Sequence, residues 1–148
     1  MCTSISLLTK NHYFGRNLDM EFSYGEKVII TPRKYPLEFR MTDELKEHFA
    51  IIGMGIVVDD YPLYYDATNE KGLSIAGLNF PVSAVYYDSA EDKNNIAAFE
   101  LIPWILGQCA SVDEARDLLM NTNIVNMDFN EKYKNASLHW MISDKDYS

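Results

Sequence analysis

Apolar and polar residues alternate through "CTSISLL" (2–8) and again through "HYFGRNLDM" (12–20). The polar turn "TKNH" falls between them, which predicts two strands joined as a hairpin. "KVIITPR" (27–33) predicts a third strand that ends at Pro32, because proline brings no N–H to a ladder. "FAIIGMGIVV" (49–58) is apolar enough to predict a strand buried on both faces. The clearest signal is "YPLYYDATNEKGLSIAGLNF", two strand-like runs at 63–68 and 73–80 joined by "NEKG", where Gly72 takes a positive φ without steric cost. Residues 95–108 carry a helical stripe (Ile96, Phe99, Ile102, Leu106), with a kink expected at Pro103. Ser111, with Glu114 three residues on, opens a second helix over "VDEARDLLM". "SLHWMISD" (137–144) predicts a final strand, and "DKDYS" begins a turn.

That turn has no return strand, so the last strand's edge is left unpaired, a situation natural domains avoid. A frayed C-terminus is one reading; the expected one is the N-terminal part of a longer protein. No repeat or linker divides residues 1–148, a length that suits one domain.

Composition removes whole classes of function. With 47% apolar and 24% charged residues the chain is globular rather than disordered. The net charge is −9 and the 13 Lys and Arg are scattered, so a nucleic-acid partner is not expected. No apolar run approaches the roughly 20 residues of a membrane span, and the first residues do not read as a secretory signal, so no membrane insertion and a cytoplasmic location are expected. Two cysteines, Cys2 and Cys109, give no disulfide framework and suit a reducing compartment. His12, His48 and His139 lie far apart without ligand spacing, so no metal or other cofactor is expected.

The chemistry concentrates at Cys2. Removal of Met1, which aminopeptidases perform ahead of a small residue, would leave a thiol and a free α-amine on one residue. An α-amine of pKa about 7.7–8.0 is a competent base for a thiol of pKa about 8.5, so no catalytic histidine is required. In "FGRNLD", Arg16 and Asp19 follow on the partner strand: the guanidinium would favour a thiolate, and the carboxylate would orient the amine. Positions three apart on a strand face opposite ways, so the two converge only if the strand bends or ends near Asn17 or Leu18. Otherwise they form a surface ion pair. Asn79, in "AGLNFP", has a side-chain amide suited to an oxyanion, or to a turn before Pro81.

Cys2, "FGRNLD", "DATNEKGLSIAGLNFP", "FELIPWILGQ" and "LHWMISD", in this order and spacing, resemble the choloylglycine hydrolase family of N-terminal nucleophile hydrolases, which comprises bile salt hydrolases and penicillin V acylases. The resemblance implies an α+β fold, a four-layer αββα sandwich of which this chain is about the N-terminal half. It implies amide cleavage through a thioester on Cys2, with Arg16, Asp19 and Asn79 in the site. "GLNF" leans toward conjugated bile salts over penicillin V, and the resemblance implies a steroid-binding cleft at positions Leu18, Val58, Tyr65, Phe129, Tyr133 and Leu138; plain core packing is the other reading of these six. Family members are about twice as long, commonly form homo-tetramers, and supply another asparagine and another arginine from beyond Ser148. A truncated, non-catalytic binding or assembly partner is the alternative of a different class.

Overall fold

A computed structural model describes residues 2–146. Nine strands and two helices follow in the order β1 (Thr3–Leu8), β2 (His12–Asn17), β3 (Lys27–Thr31), β4 (Ile51–Val58), β5 (Tyr61–Asn69), β6 (Ser74–Asn79), β7 (Asn94–Ala97), α1 (Leu101–Gln108), α2 (Val112–Met120), β8 (Thr122–Val125) and β9 (Leu138–Ser143). Five strands form one sheet in the order β3-β4-β5-β6-β9, while β1-β2 and β7-β8 form separate pairs.

Helices cover one face of the large sheet. Ile29, Ile51, Ala67 and Ile75 from its strands meet Leu101, Ile102, Ile105 and Leu106 of α1 and Val112 and Ala115 of α2 in a single apolar core. The β1-β2 hairpin lies on the other face, and hydroxyls seat it there. Ser4 Oγ meets Met141 Sδ at 2.9 Å, and Ser6 Oγ meets Ser143 Oγ at 2.8 Å. His12 Nε2 closes the triangle, 3.0 Å from Ser143 Oγ. The period-two alternation of β1 is therefore inverted, small polar groups facing inward while Ile5 and Leu7 are exposed.

Several expectations hold at the level of single residues. β3 stops at Thr31, ahead of Pro32. β5 and β6 pair antiparallel, and Gly72 takes φ +91° in their turn. Ser111 caps α2, its side chain accepting from the Glu114 N–H at 3.2 Å, although the Glu114 carboxylate reaches back to the N–H of Ala110 and not of Ser111. Of the turn expected at 144–148, Asp144 Oδ1 accepts from the Asp146 N–H at 2.8 Å; residues 147 and 148 lie outside the described part.

Three expectations change. Residues 94–97 form a parallel strand with β8, followed by a short 3₁₀ turn (Ala98–Glu100), so α1 begins only at Leu101. Pro103 then occupies the first turn of α1, where an N–H has no intrahelical partner, and the expected kink has no cause. β8 itself escaped the periodicity, four residues being too few to register. β4 is not buried on both faces: Ile52 is 49% exposed on the face that receives the hairpin, where it borders one open cleft with Phe14, Gly15 and Arg16.

A bulge interrupts the β4-β5 ladder. Met54 pairs with Asp66 and Gly55 with Tyr64, so Tyr65 has no cross-strand partner and the strand bends there. β4 and β5 approach closely at this point, and a Cβ on Gly53 would lie 2.1 Å from the Asp66 carbonyl oxygen and 2.5 Å from the Ala67 Cβ. Gly53→Ala is expected to lower stability by about 2–3 kcal/mol or to prevent folding, read as a fall in the thermal midpoint.

Candidate active site

Cys2 lies at the open end of the hairpin, just ahead of the Thr3↔Asn17 pair that ends the β1-β2 ladder. The ladder also brings Ser4 opposite Arg16, and from there Arg16 Nη2 reaches within 3.9 Å of Cys2 Sγ. β2 ends at Asn17, and the chain leaves the sheet at Leu18. That exit supplies the bend required by the sequence, and Leu18 and Asp19 line the same cleft as Cys2 and Arg16.

The two thiols stand in opposite environments. Burial raises the Cys2 thiol, but the backbone N–H groups of Asn79 and Asp19 and the Arg16 guanidinium together outweigh it, so the thiol lies below its ordinary range. Cys109 is 3% exposed, and burial pushes its thiol up to about 12, with the Glu114 charge adding to the rise. Only Cys2 is electronically prepared as a nucleophile. Its alkylation by iodoacetamide is expected to reach half-maximal rate at a pH below that of an unperturbed thiol, and Arg16→Met is expected to move that midpoint upward. An unchanged midpoint in the variant would remove Arg16 from the account of the thiolate.

Arg16 is held from three sides. Its side chain is 6% exposed, Nη2 donates to the Gly77 carbonyl as well as facing Cys2, and Nε lies 3.7 Å from Asp66 Oδ2. Among the described residues, Nε and Nη1 make no hydrogen bond, a costly state for a buried cation. Burial pushes the Asp66 carboxyl above the usual range, against the pull of Arg16 and the Met54 backbone. Sequence reasoning missed Asp66; its signal was an acid in the middle of an otherwise uncharged strand run, on the face that receives the hairpin.

The cleft at Cys2 has a volume of about 690 Å³ and includes Tyr65, Asn79 and Leu138 in its lining. A second, apolar cavity of about 380 Å³ adjoins it, with Met20, Tyr24, Tyr64, Tyr65, Ala136 and Leu138 lining both. Tyr65, Phe129, Tyr133 and Leu138 thus meet in the apolar cavity, and Leu18 belongs to the thiol's cleft. Val58 lines neither; it packs against the small core of Ile56, Leu63 and Phe129, in keeping with plain core packing at that position. Tyr65, which the bulge leaves without a β4 partner, lines both cavities.

A thiol near the chain's start, on a hairpin stacked against a larger sheet that helices cover on its far side, defines the fold of the N-terminal nucleophile hydrolases. The chain belongs among the linear amide C–N hydrolases of the choloylglycine hydrolase family, which it matches over residues 2–148. A bile salt hydrolase/transferase of Lactiplantibacillus plantarum is 54% identical over the whole of this chain and 46% of its own. A conjugated bile acid hydrolase of Lactobacillus gasseri is 48% identical over 99% of this chain and 47% of its own. The crystal structure of a mutant conjugated bile acid hydrolase from Clostridium perfringens superimposes with a TM-score of 0.91 at 42% identity, over 99% of this chain and 46% of that one. Penicillin V acylase from Agrobacterium tumefaciens shares the fold, with a TM-score of 0.76 at 17% identity over 99% of this chain and 44% of that one. The chain spans about half the length of the curated relatives it matches.

Proposed function

We propose that residues 1–148 form the N-terminal portion of one N-terminal nucleophile hydrolase domain that cleaves the amide of glycine- or taurine-conjugated bile salts. Met1 is removed and the Cys2 thiol attacks the amide carbonyl. Its α-amine takes the thiol proton and delivers it to the departing glycine or taurine nitrogen as the C–N bond breaks, leaving a thioester. Water then attacks the thioester, the same amine taking a proton from it and returning one to sulfur. Arg16 holds the thiolate, Asp19 orients the amine, and Asn79 faces the developing oxyanion.

The observation that carries this reading is the Cys2 thiol, 3.9 Å from the Arg16 guanidinium, in a cleft that adjoins an apolar cavity. A steroid acyl group suits a cavity walled by Tyr65, Phe129, Tyr133 and Leu138, with the scissile amide lying over Cys2. The curated relatives quoted above are named for bile salts, which favours that substrate over penicillin V. A cytoplasmic location suits two unpaired thiols. A homo-tetramer completes the reading, and sedimentation of the protein made from its complete gene tests it.

The functional test uses that same protein with a non-removable residue ahead of Cys2. Acylation turns the amine into an amide and removes its basicity, so hydrolysis of glycine and taurine conjugates is expected to vanish while the unblocked protein retains it. Equal activity in the blocked form refutes the self-base mechanism. Preference for penicillin V would move the substrate assignment to the acylase, and absence of all turnover in the unblocked form would favour a non-catalytic binding partner.

A further inference from the structure

We propose that Arg40 is a positioning residue that sets the specificity of the apolar cavity by fixing two of its walls, Phe99 and Phe129. The proposal deepens the functional reading above and rests on its placement of the substrate's acyl group. Arg40 belongs to the segment between β3 and β4, which no consideration of the thiol's chemistry singles out.

The anchor is Glu100, a carboxylate only 1% exposed at the end of the 3₁₀ turn. Its Oε1 accepts the backbone N–H of Arg40 at 2.7 Å, and its Oε2 accepts that of Ala97 at 2.8 Å. A buried carboxylate with two such bonds is expensive to displace, so the main chain at residue 40 is pinned to the start of α1. From that fixed point the guanidinium turns toward the cavity wall. Nη2 donates to the Phe129 carbonyl at 3.2 Å, and Cζ lies 5.2 Å from the centroid of the Phe129 ring and 6.0 Å from that of Phe99. The two rings meet edge to face, 5.1 Å apart at 89°.

At Phe129 it is the main chain that needs this support, since the ring also packs on Ile56, Leu63 and Tyr61. Phe129 lies between β8 and β9 in a segment without helix or strand, where its backbone N–H bonds only locally, to the Tyr133 carbonyl at 3.1 Å. Arg40 links that segment to the scaffold through carbonyl and ring together, whereas Phe99 comes from the rigid turn ahead of α1. A planar guanidinium can lie against two rings and still donate along its edge; an ammonium cannot do both. Rigid placement of the two rings distinguishes a fused-ring acyl group, which fills the cavity, from a short chain that does not reach them.

The experiment compares Arg40→Met and Arg40→Lys with wild type in the protein made from its complete gene. Two amides of one amine are used: a fused-ring steroid acyl conjugate and a short unbranched acyl conjugate. Arg40→Met is expected to raise KM for the steroid conjugate by about five-fold, from loss of the ring contacts and one hydrogen bond, with kcat changed by less than about two-fold. KM for the short conjugate is expected to stay within about two-fold, and Arg40→Lys to recover part of the loss. Equal losses on both substrates, or an unchanged KM for the steroid, would overturn the proposal. If the wild type cleaves neither amide, the functional reading fails separately. The same comparison is then made on binding of an uncharged fluorescent probe, N-phenyl-1-naphthylamine: weakening by about five-fold in Arg40→Met supports the role of Arg40, and an equal Kd refutes it.

Discussion

Replacing Cys2 with serine is expected to reduce amide cleavage by at least about 10³-fold while leaving the fold intact. The guanidinium and the two backbone N–H groups that draw the thiol down act on a group already close to ionisation. A hydroxyl in the same place begins far from it, and the contacts that draw the thiol down leave it largely protonated at neutral pH. Cys2 is only partly buried and the exchange changes little in volume, so the thermal midpoint should not move. Cys109→Ser provides the opposite control. It places a hydroxyl in the apolar core at a cost of about 1–3 kcal/mol, yet turnover per folded molecule should be retained. Steady-state kinetics beside thermal melts separates the two variants.

The second large effect is expected at Arg16. Arg16→Met removes the cation facing Cys2, the donor to the Gly77 carbonyl and the partner of Asp66 together, and a fall in kcat/KM of roughly 10²–10³-fold is expected. Arg16→Lys should lose nearly as much. A single ammonium cannot face the sulfur, the carbonyl and the carboxylate at once from a side chain this buried. Recovery by lysine to within a few-fold of wild type would show that charge alone is required. In either variant the Asp66 carboxyl loses the charge or geometry that opposes its burial, and its titration should move further upward.

The site was legible where local chemistry determines position. Cys2 and Arg16 are joined by a hairpin whose register the polar turn at 9–12 fixes, so residues far apart in sequence could be placed side by side. The exit of the chain at Leu18 was required by the opposite facing of positions 16 and 19, and the strand does end there. Contacts made across layers were not legible. Asp66 meets Arg16 only because the hairpin is stacked on the large sheet, and nothing in the alternation of β5 specifies that stacking. Tyr65 is left without a β4 partner by a bulge, a one-residue slip that periodicity averages over. The apolar stripe at 95–108 read as one helix because buried strand and buried helix look alike over a few residues; Asn94 to Ala97 pair with β8 instead. Val58 satisfied the same description as the cavity residues, being apolar and partly buried, and only the packing assigns it to the small core.

The most direct test of the proposed chemistry is the intact mass of the active protein, taken before and after a brief exposure to conjugated substrate with acid quenching. The account predicts a chain lacking Met1 and, after exposure, a further mass equal to the acyl group, mapped by fragmentation to Cys2 and released by hydroxylamine. A fully active protein that retains Met1, or an acyl group carried on any other residue, would contradict it.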